Sequence, residues 1–366
     1  MARKIFVAAT GKDCGKTTTS LSLLHLASKK YGKGRVGFMK PFGPKPAAYR
    51  GVIVDKDAAL TAEIFGLEQD PSLLSPVVVD RATTRAFLDG KFTTADLRGK
   101  IRSAMAELER QYDFIVIEGS GHGGVGSLFD LSNAEVAKIT DAPVMIVSGG
   151  GIGNVVDAVA LNIALYRQAG VEVKLVLTNK VDPAKREQTL HYLDLAFARI
   201  GVPVRGGFDY TPLLANPTLK RVAKILDQPL RATPQEAQRI ILHQQLGAAS
   251  SQRVIDLLEE STLLMVNSSR DELLVTTSSL YHLPEYKRKI AGLVIAGLNP
   301  ISKITQQIID DSGVPYLRTM ITNSETFTIL SNDVSKTTAE DKEKIELIYS
   351  MAERQLDFDA IEALVV

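Results

Sequence analysis

The segment Thr10-Gly11-Lys12-Asp13-Cys14-Gly15-Lys16-Thr17 follows the apolar run Ile5-Phe6-Val7-Ala8-Ala9 and leads into a helix-forming stretch. Strand, glycine turn and helix start, in that order, make a phosphate cradle. Free backbone N–H groups at the helix start point at an anion, and the helix dipole favours its negative charge. In such a cradle the Lys16 ammonium reaches the β- and γ-phosphates, and the Thr17 hydroxyl sits on Mg²⁺. The complete pattern has glycine where Thr10 stands, so this is a variant that keeps Gly-Lys-Thr. Thr10, Gly11, Lys12, Asp13, Cys14, Gly15, Lys16, Thr17 and Thr18 are therefore the expected phosphate and nucleotide contacts.

Phosphoryl chemistry also needs carboxylates to hold the metal. Glu118 ends the run Phe114-Ile115-Val116-Ile117 and opens Glu-Gly-Ser-Gly-His-Gly-Gly. An acid at the end of an apolar strand, followed by glycines, is placed to hold Mg²⁺ directly or through water. Asp57 is a second metal candidate at a helix start, with Asp55 as its rival, and an N-cap role explains either one. Lys40, in Met39-Lys40-Pro41 after the second strand, is placed to neutralise a transferred phosphoryl group or bind an acidic substrate. His122 is a further candidate for substrate contact or acid–base work.

Asn179-Lys180-Val181-Asp182 follows another apolar strand and resembles the guanine-reading motif of GTPases. Asn179 suits adenine equally, and only Asp182 favours guanine, so ATP and GTP both stay open. Gly119, Gly121 and Gly124 have G-x-G-x-x-G spacing, but no helix signal opens there and no acid closes the next strand, which argues against a dinucleotide site.

Positioning these residues requires a particular scaffold. Up to about residue 225, short Val- and Ile-rich runs at 4–9, 35–39, 74–79, 113–118, 143–148, 172–178 and 202–206 read as strands apolar on both faces. Helices are expected between them, among them 16–31, 93–110 and 154–168. Such alternation predicts a doubly wound, mostly parallel sheet with ligands above the carboxyl ends of its strands. Pro217, Pro229 and Pro234 mark a boundary, giving domains at 1–225 and 226–366. The second is expected to be a smaller α/β domain with a helix at 234–247, strands at 262–267, 292–296 and 314–317, and helices at 301–311 and 339–355.

Of 366 residues, 45% are hydrophobic and 23% charged, with a net charge of +1. Real cores can be buried, and no global field draws the chain to nucleic acid or a membrane. The apolar runs are too short to span a bilayer, and the N-terminus lacks a signal-peptide core. The single cysteine, Cys14, excludes an internal disulfide and a zinc framework. These features point to the cytoplasm.

Taken in order, the Thr10–Thr17 loop, Lys40-Pro41, Asp57, Glu118-Gly119 and Asn179 resemble the dethiobiotin synthetase-like branch of P-loop proteins, which also contains the nucleotide domain of cobyrinic acid a,c-diamide synthase. The resemblance implies phosphates and Mg²⁺ on Lys16 and Thr17, Mg²⁺ on Asp57 and Glu118, adenine on Asn179, and a homodimer. The second half, through Val266–Leu273, Ala291–Gly297 and Gly313-Val314-Pro315, resembles a DRTGG domain. That pairing is found in long phosphotransacetylases, where it is regulatory.

Two departures matter. Lys12 and Pro44 stand where dethiobiotin synthetases carry a Thr and a Ser of the diamine site. The one cysteine lies in the phosphate loop, so glutamine is excluded as a nitrogen donor through a cysteine of this chain. The expectation is a nucleotide sensor or slow ATPase acting on a partner enzyme. The alternatives are a ligase that activates a small carboxylate or carbamate as a phosphate anhydride, using Lys12, Lys16, Lys40 and His122, and a GTP-binding switch.

Overall fold

The computed structural model describes residues 2–332 and 337–364. The chain divides into two compact units, Met1–Tyr210 with Thr337–Val366, and Thr211–Lys336.

The first unit contains the strands β1 (Arg3–Ala9), β2 (Val36–Met39), β3 (Phe42–Gly43), β4 (Pro46–Tyr49), β5 (Val52–Asp55), β6 (Val77–Val78), β7 (Phe114–Glu118), β8 (Val144–Gly149), β9 (Val173–Asn179) and β10 (Val204–Gly206). Six of them form one parallel sheet in the order β10-β9-β8-β1-β7-β2. β8 and β1 lie at the centre, and the apolar runs Ile5 to Ala9, Phe114 to Ile117 and Val144 to Val147 are fully covered on both faces. That is the signature of a parallel sheet between two helical layers.

Helix α1 (Lys16–Tyr31) leaves the end of β1 and covers one face with Leu21, Leu23, Leu24 and Ala27. Helix α2 (Lys56–Phe65) follows the β4–β5 hairpin. The Thr94–Gln111 helix starts at the predicted place because Thr93 and Asp96 form a reciprocal capping box. The expected strand at 74–79 shrinks to Val77–Val78, since Asp70 and Pro71 start a short helix, Pro71–Leu74.

The Lys342–Gln355 helix and the Phe358–Ala363 helix return to this first unit. Ile348, Met351 and Ala352 are buried, His25 of α1 stacks on Tyr349 at 4.2 Å, and Phe358 packs on Phe114. The sequence pattern groups 226–366 together; contacts instead place the last thirty residues with the nucleotide-loop unit. An amphipathic helix specifies a buried face but not the surface that covers it.

The second unit has its own sheet, β11 (Leu230–Arg231), β12 (His243–Leu246), β13 (Thr262–Asn267), β14 (Ile290–Ala296) and β15 (Tyr316–Thr319), in the order β11-β15-β14-β13-β12. All pairs are parallel except β11 with β15. Apolar clusters fill both faces, one around Leu264, Leu274 and Ile309 and the other around Leu219, Val222 and Leu317. The helix expected over 234–247 ends at Ala237, and His243–Leu246 pairs with Thr262–Met265 as the sheet edge. The ladder to β13 overrides a local sequence with little strand character.

Candidate nucleotide and metal site

The phosphate loop crosses the carboxyl end of the central strand. Among the described residues, the amides of Gly11 to Gly15 meet no acceptor in hydrogen-bonding geometry. They remain available to an anion at the start of α1. Asp13 and Gly15 both have left-handed backbone, φ 60° and 98°. At Gly15 the need for glycine is also steric: a Cβ there would lie 1.9 Å from Asn179 Nδ2.

Asn179, at the end of β9, donates from Nδ2 to Cys14 O at 2.8 Å and accepts at Oδ1 from Lys180 N at 2.9 Å. It braces the loop from the side. Thr10, in the place of the usual first glycine, shares a hydrogen bond of 3.0 Å with Ser148 Oγ at the end of β8. Lys12 and Asp13 are exposed, and Cys14 is half-buried, with Sγ 3.6 Å from Thr10 Oγ1.

Lys16 Nζ donates to Gly121 O at 2.6 Å and to Gly11 O at 3.3 Å, so the ammonium lies between the phosphate loop and the glycine loop after β7. Burial lowers its pKa, against the attraction of Glu118. Thr17 Oγ1 lies 3.4 Å from Glu118 Oε1, and Thr18 is half-buried in the first turn behind it.

Glu118 is 1% exposed. Burial pushes its carboxyl pKa up, with Lys40 pulling the other way and Asp57 adding to the rise. Its Oε2 atom is buried and meets no donor in hydrogen-bonding geometry among the described residues, although the Ser20 hydroxyl lies near enough to favour the ionised form.

Lys40 follows β2 and is almost fully buried. Its Nζ lies 2.9 Å from Asp55 Oδ1, 2.9 Å from Asp57 Oδ2 and 3.7 Å from Glu118 Oε1. Burial would lower the pKa of this ammonium, but Glu118, Asp55 and Asp57 together outweigh it and hold the group protonated. The rivalry between the two aspartates resolves into two roles. Asp55 caps α2 by accepting from Asp57 N at 2.9 Å, and it also accepts from Lys45 N at 3.1 Å. Asp57, in the first turn, directs its carboxylate to Lys40 and to Lys45 Nζ at 3.4 Å.

Thr17, Lys40, Asp57 and Glu118 therefore meet at one edge, with Lys16 beside them. His122 stands apart from this group, its Nδ1 accepting from Gly124 N at 3.2 Å within its own loop. Asp182 accepts from Ala184 N at 3.0 Å and caps a short turn.

Asn133 carries no sequence signal, yet it organises the loop that carries Lys16's acceptor. It accepts from Ser120 N at 2.9 Å and donates to Ser120 O and His122 O, both at 2.7 Å. It is the first residue of a helix after Ser132, a position that reads as capping alone.

A protein-family model described as an AAA domain matches residues 3–218. The ATP-dependent dethiobiotin synthetase of Corynebacterium efficiens is 32% identical over 192 residues, which is 51% of this chain and 81% of the relative. The corresponding enzyme of Clostridium botulinum is 25% identical over 188 residues, 49% of this chain and 79% of the relative. Cobyric acid synthase of Pelotomaculum thermopropionicum is 28% identical over 240 residues, 57% of this chain and 43% of that longer protein.

Proposed function

The chain belongs to the AAA-domain family through residues 3–218 and is a relative of the ATP-dependent dethiobiotin synthetases, and from that premise we propose that this ATP-binding P-loop protein is a Mg²⁺-dependent nucleotide sensor or slow ATPase whose second unit relays nucleotide state to a partner enzyme. One observation carries the reading: Lys16, Thr17, Asp57 and Glu118 converge around a loop of unengaged amides. The residues at the diamine positions of dethiobiotin synthetases are the exposed Lys12 and Pro44.

The donors suit magnesium. Carboxylate and hydroxyl oxygens are its preferred ligands, and the unmatched buried oxygen of Glu118 is a costly feature that a cation relieves. Glu118, Asp57 and Thr17 would hold the ion, and when bound it supplies neutralisation of phosphate charge. The loop amides receive the phosphates, and Lys16 moves from Gly121 O to their oxygens. Lys40 neutralises the outer phosphate. Asn179 fixes the loop in the shape that presents its amides. Its polar atoms face Cys14 and Lys180, which makes it a brace before it is a base reader. The second unit is read as DRTGG-like from the sequence resemblance of Val266–Leu273, Ala291–Gly297 and Gly313-Val314-Pro315.

The test is calorimetric titration with ATP and GTP, with and without Mg²⁺, on wild type and Lys16→Ala. It is followed by hydrogen exchange of residues 211–336 with and without nucleotide. Mg²⁺-dependent ATP binding that changes exchange in the second unit of wild type alone supports the sensor. Turnover strongly stimulated by a small carboxylate or amine replaces it with the ligase reading.

A further inference from the structure

Lys40 has a property the proposed function does not use. Its ammonium occupies the space where three carboxylates face one another, 2.9 Å from two of them and 3.7 Å from the third. Its side chain is 4% exposed, so water contributes almost nothing to its solvation. Asp55 is in addition held by two backbone amides. Lys45, the other cation at Asp57, is more than half exposed and reaches it from outside at 3.4 Å. Asp55 and Asp57 are both engaged by this one buried ammonium, Lys16 attracts Glu118 from the loop side, and Glu118 Oε2 meets no donor in hydrogen-bonding geometry among the described residues.

An ammonium and a divalent ion cannot share this pocket. In a site shielded from water their repulsion exceeds thermal energy several-fold at a separation of a few ångströms. A free cation must also give up its own water shell, which magnesium does reluctantly. A cation that arrives on a nucleotide meets a different balance, because the phosphates offer the ammonium a new anionic partner nearby.

We propose that Lys40 is a tethered stand-in cation: its ammonium, anchored on Asp55, closes the space between Asp57 and Glu118 to free divalent ions, and it moves to the phosphates only when metal and nucleotide arrive together. This rests on the reading that these carboxylates hold the metal. It adds an order to binding: metal and nucleotide enter as one, and metal alone does not prime the site. Lys40 is in this respect a gating residue, and its longer-range role in charge balance is separable from contact with substrate.

The experiment titrates Mn²⁺ into the nucleotide-free full-length chain and follows free Mn²⁺ by electron paramagnetic resonance. Lys40→Met keeps the length and removes the charge. It should bind one Mn²⁺ at least about tenfold tighter than wild type, since loss of a like charge within contact distance is worth at least that factor. Lys40→Arg should stay at the wild-type value, and Lys40→Met with Asp57→Asn should return towards it. A purely structural lysine would show no such gain. Should Lys40→Met fail to fold, Lys40→Gln, which retains a donor to Asp55, carries the same expectation.

Wild type that binds nucleotide-free Mn²⁺ as tightly as the neutral variants overturns the proposal. So does a folded Lys40→Met protein with no gain. Calorimetry of wild type with Mg²⁺ and ATP separates the two claims: failure there removes the functional reading, whereas success there with no gain at Lys40→Met removes the stand-in alone.

Discussion

Each unit presents the carboxyl edge of a parallel sheet, the place where α/β folds bind ligands, but the two edges are chemically unlike. In the first unit, charged groups face charged groups: Lys40 sits among Asp55, Asp57 and Glu118, and the loop amides have no acceptor. In the second, the cations close mainly on backbone carbonyls, with Arg270 also paired to Glu272. Arg270 donates to Gly247 O and Ala249 O at 3.0 and 3.1 Å, and Arg318 donates to Ile295 O, Gly297 O and Asn299 O at 3.2, 2.8 and 2.6 Å. Asn267 caps its own turn through Ser269. Topology therefore nominates an edge, and chemistry needs polar groups that the fold itself leaves unsettled. At the second edge Arg270, Asn267 and Arg318 are consumed in shaping loops, and the buried Ser268 Oγ is left without a partner in hydrogen-bonding geometry among the described residues.

The sharpest way to break this contrast is to remove one cation from each edge. Lys16→Ala should weaken Mg²⁺-dependent ATP binding by about a hundredfold or more, the loss expected when a buried charge-assisted contact is deleted. Arg270→Ala should leave the ATP dissociation constant within about twofold, because its partners are Glu272 and carbonyls of its own unit. Calorimetry on both variants decides the matter. Comparable losses would mean that the second edge contributes to nucleotide binding.

Much of the first edge was legible because its strands are uninterrupted apolar runs whose ends are marked by a change to glycine or charge. Glu118 stands out for that reason, as do Lys16 and Thr17. Local order could not separate Asp55 from Asp57: the cap geometry does, and both still touch Lys40. Asn133 was invisible, since its work is done on carbonyls thirteen and eleven residues away. His243–Leu246 failed as a sequence pattern because an edge strand takes its identity from its neighbour. The same holds for the Lys342–Gln355 helix, whose covered face was legible and whose partner, α1, was not.

Asn179 gives the next largest effect. If it is chiefly a brace, Asn179→Ala frees Cys14 O and relaxes a loop whose left-handed Gly15 fits tightly beneath the amide. ATP and GTP should both bind about tenfold more weakly, the factor for one hydrogen bond lost in a positioning role. Their ratio should stay constant. A change confined to one nucleotide, measured by competition at fixed Mg²⁺, would make Asn179 a reader of the base.

Glu118 sharpens the electrostatic side of the contrast through pH. Burial raises its folded pKa above the unfolded value of about 4.3. A group with a raised folded pKa stabilises the fold fully below its unfolded value, and that contribution is lost as pH rises through the folded one. Glu118→Gln is neutral throughout. In the absence of nucleotide and metal, its stability relative to wild type should therefore grow as pH climbs from about 4.3 through the raised pKa, then level off. Lys40 retains its two closer partners, Asp55 and Asp57, so the substitution does not strand the ammonium. Melting temperatures at pH 5 and pH 8 check the sign, and a constant difference between them would show that Glu118 titrates as an ordinary surface acid.

The smallest effect on nucleotide binding belongs to the quiet edge. Burial lowers the pKa of Arg318, as expected for a cation satisfied by neutral carbonyls. Arg318→Met keeps the stem against the sheet and removes the donors. The loop after β14 then loses its tie; the exposed Asn299 can turn its carbonyl to water, while Ile295 and Gly297 are buried. The loss should be about 1.5–3 kcal/mol of stability, the usual range for hydrogen bonds to a charged group. A drop in the denaturation midpoint, with the ATP dissociation constant unchanged, fits a loop clamp. If phosphate stabilises the wild-type second unit against denaturant and Arg318→Met abolishes that gain, the guanidinium is an anion contact, and the two edges differ in ligand rather than in whether they have one.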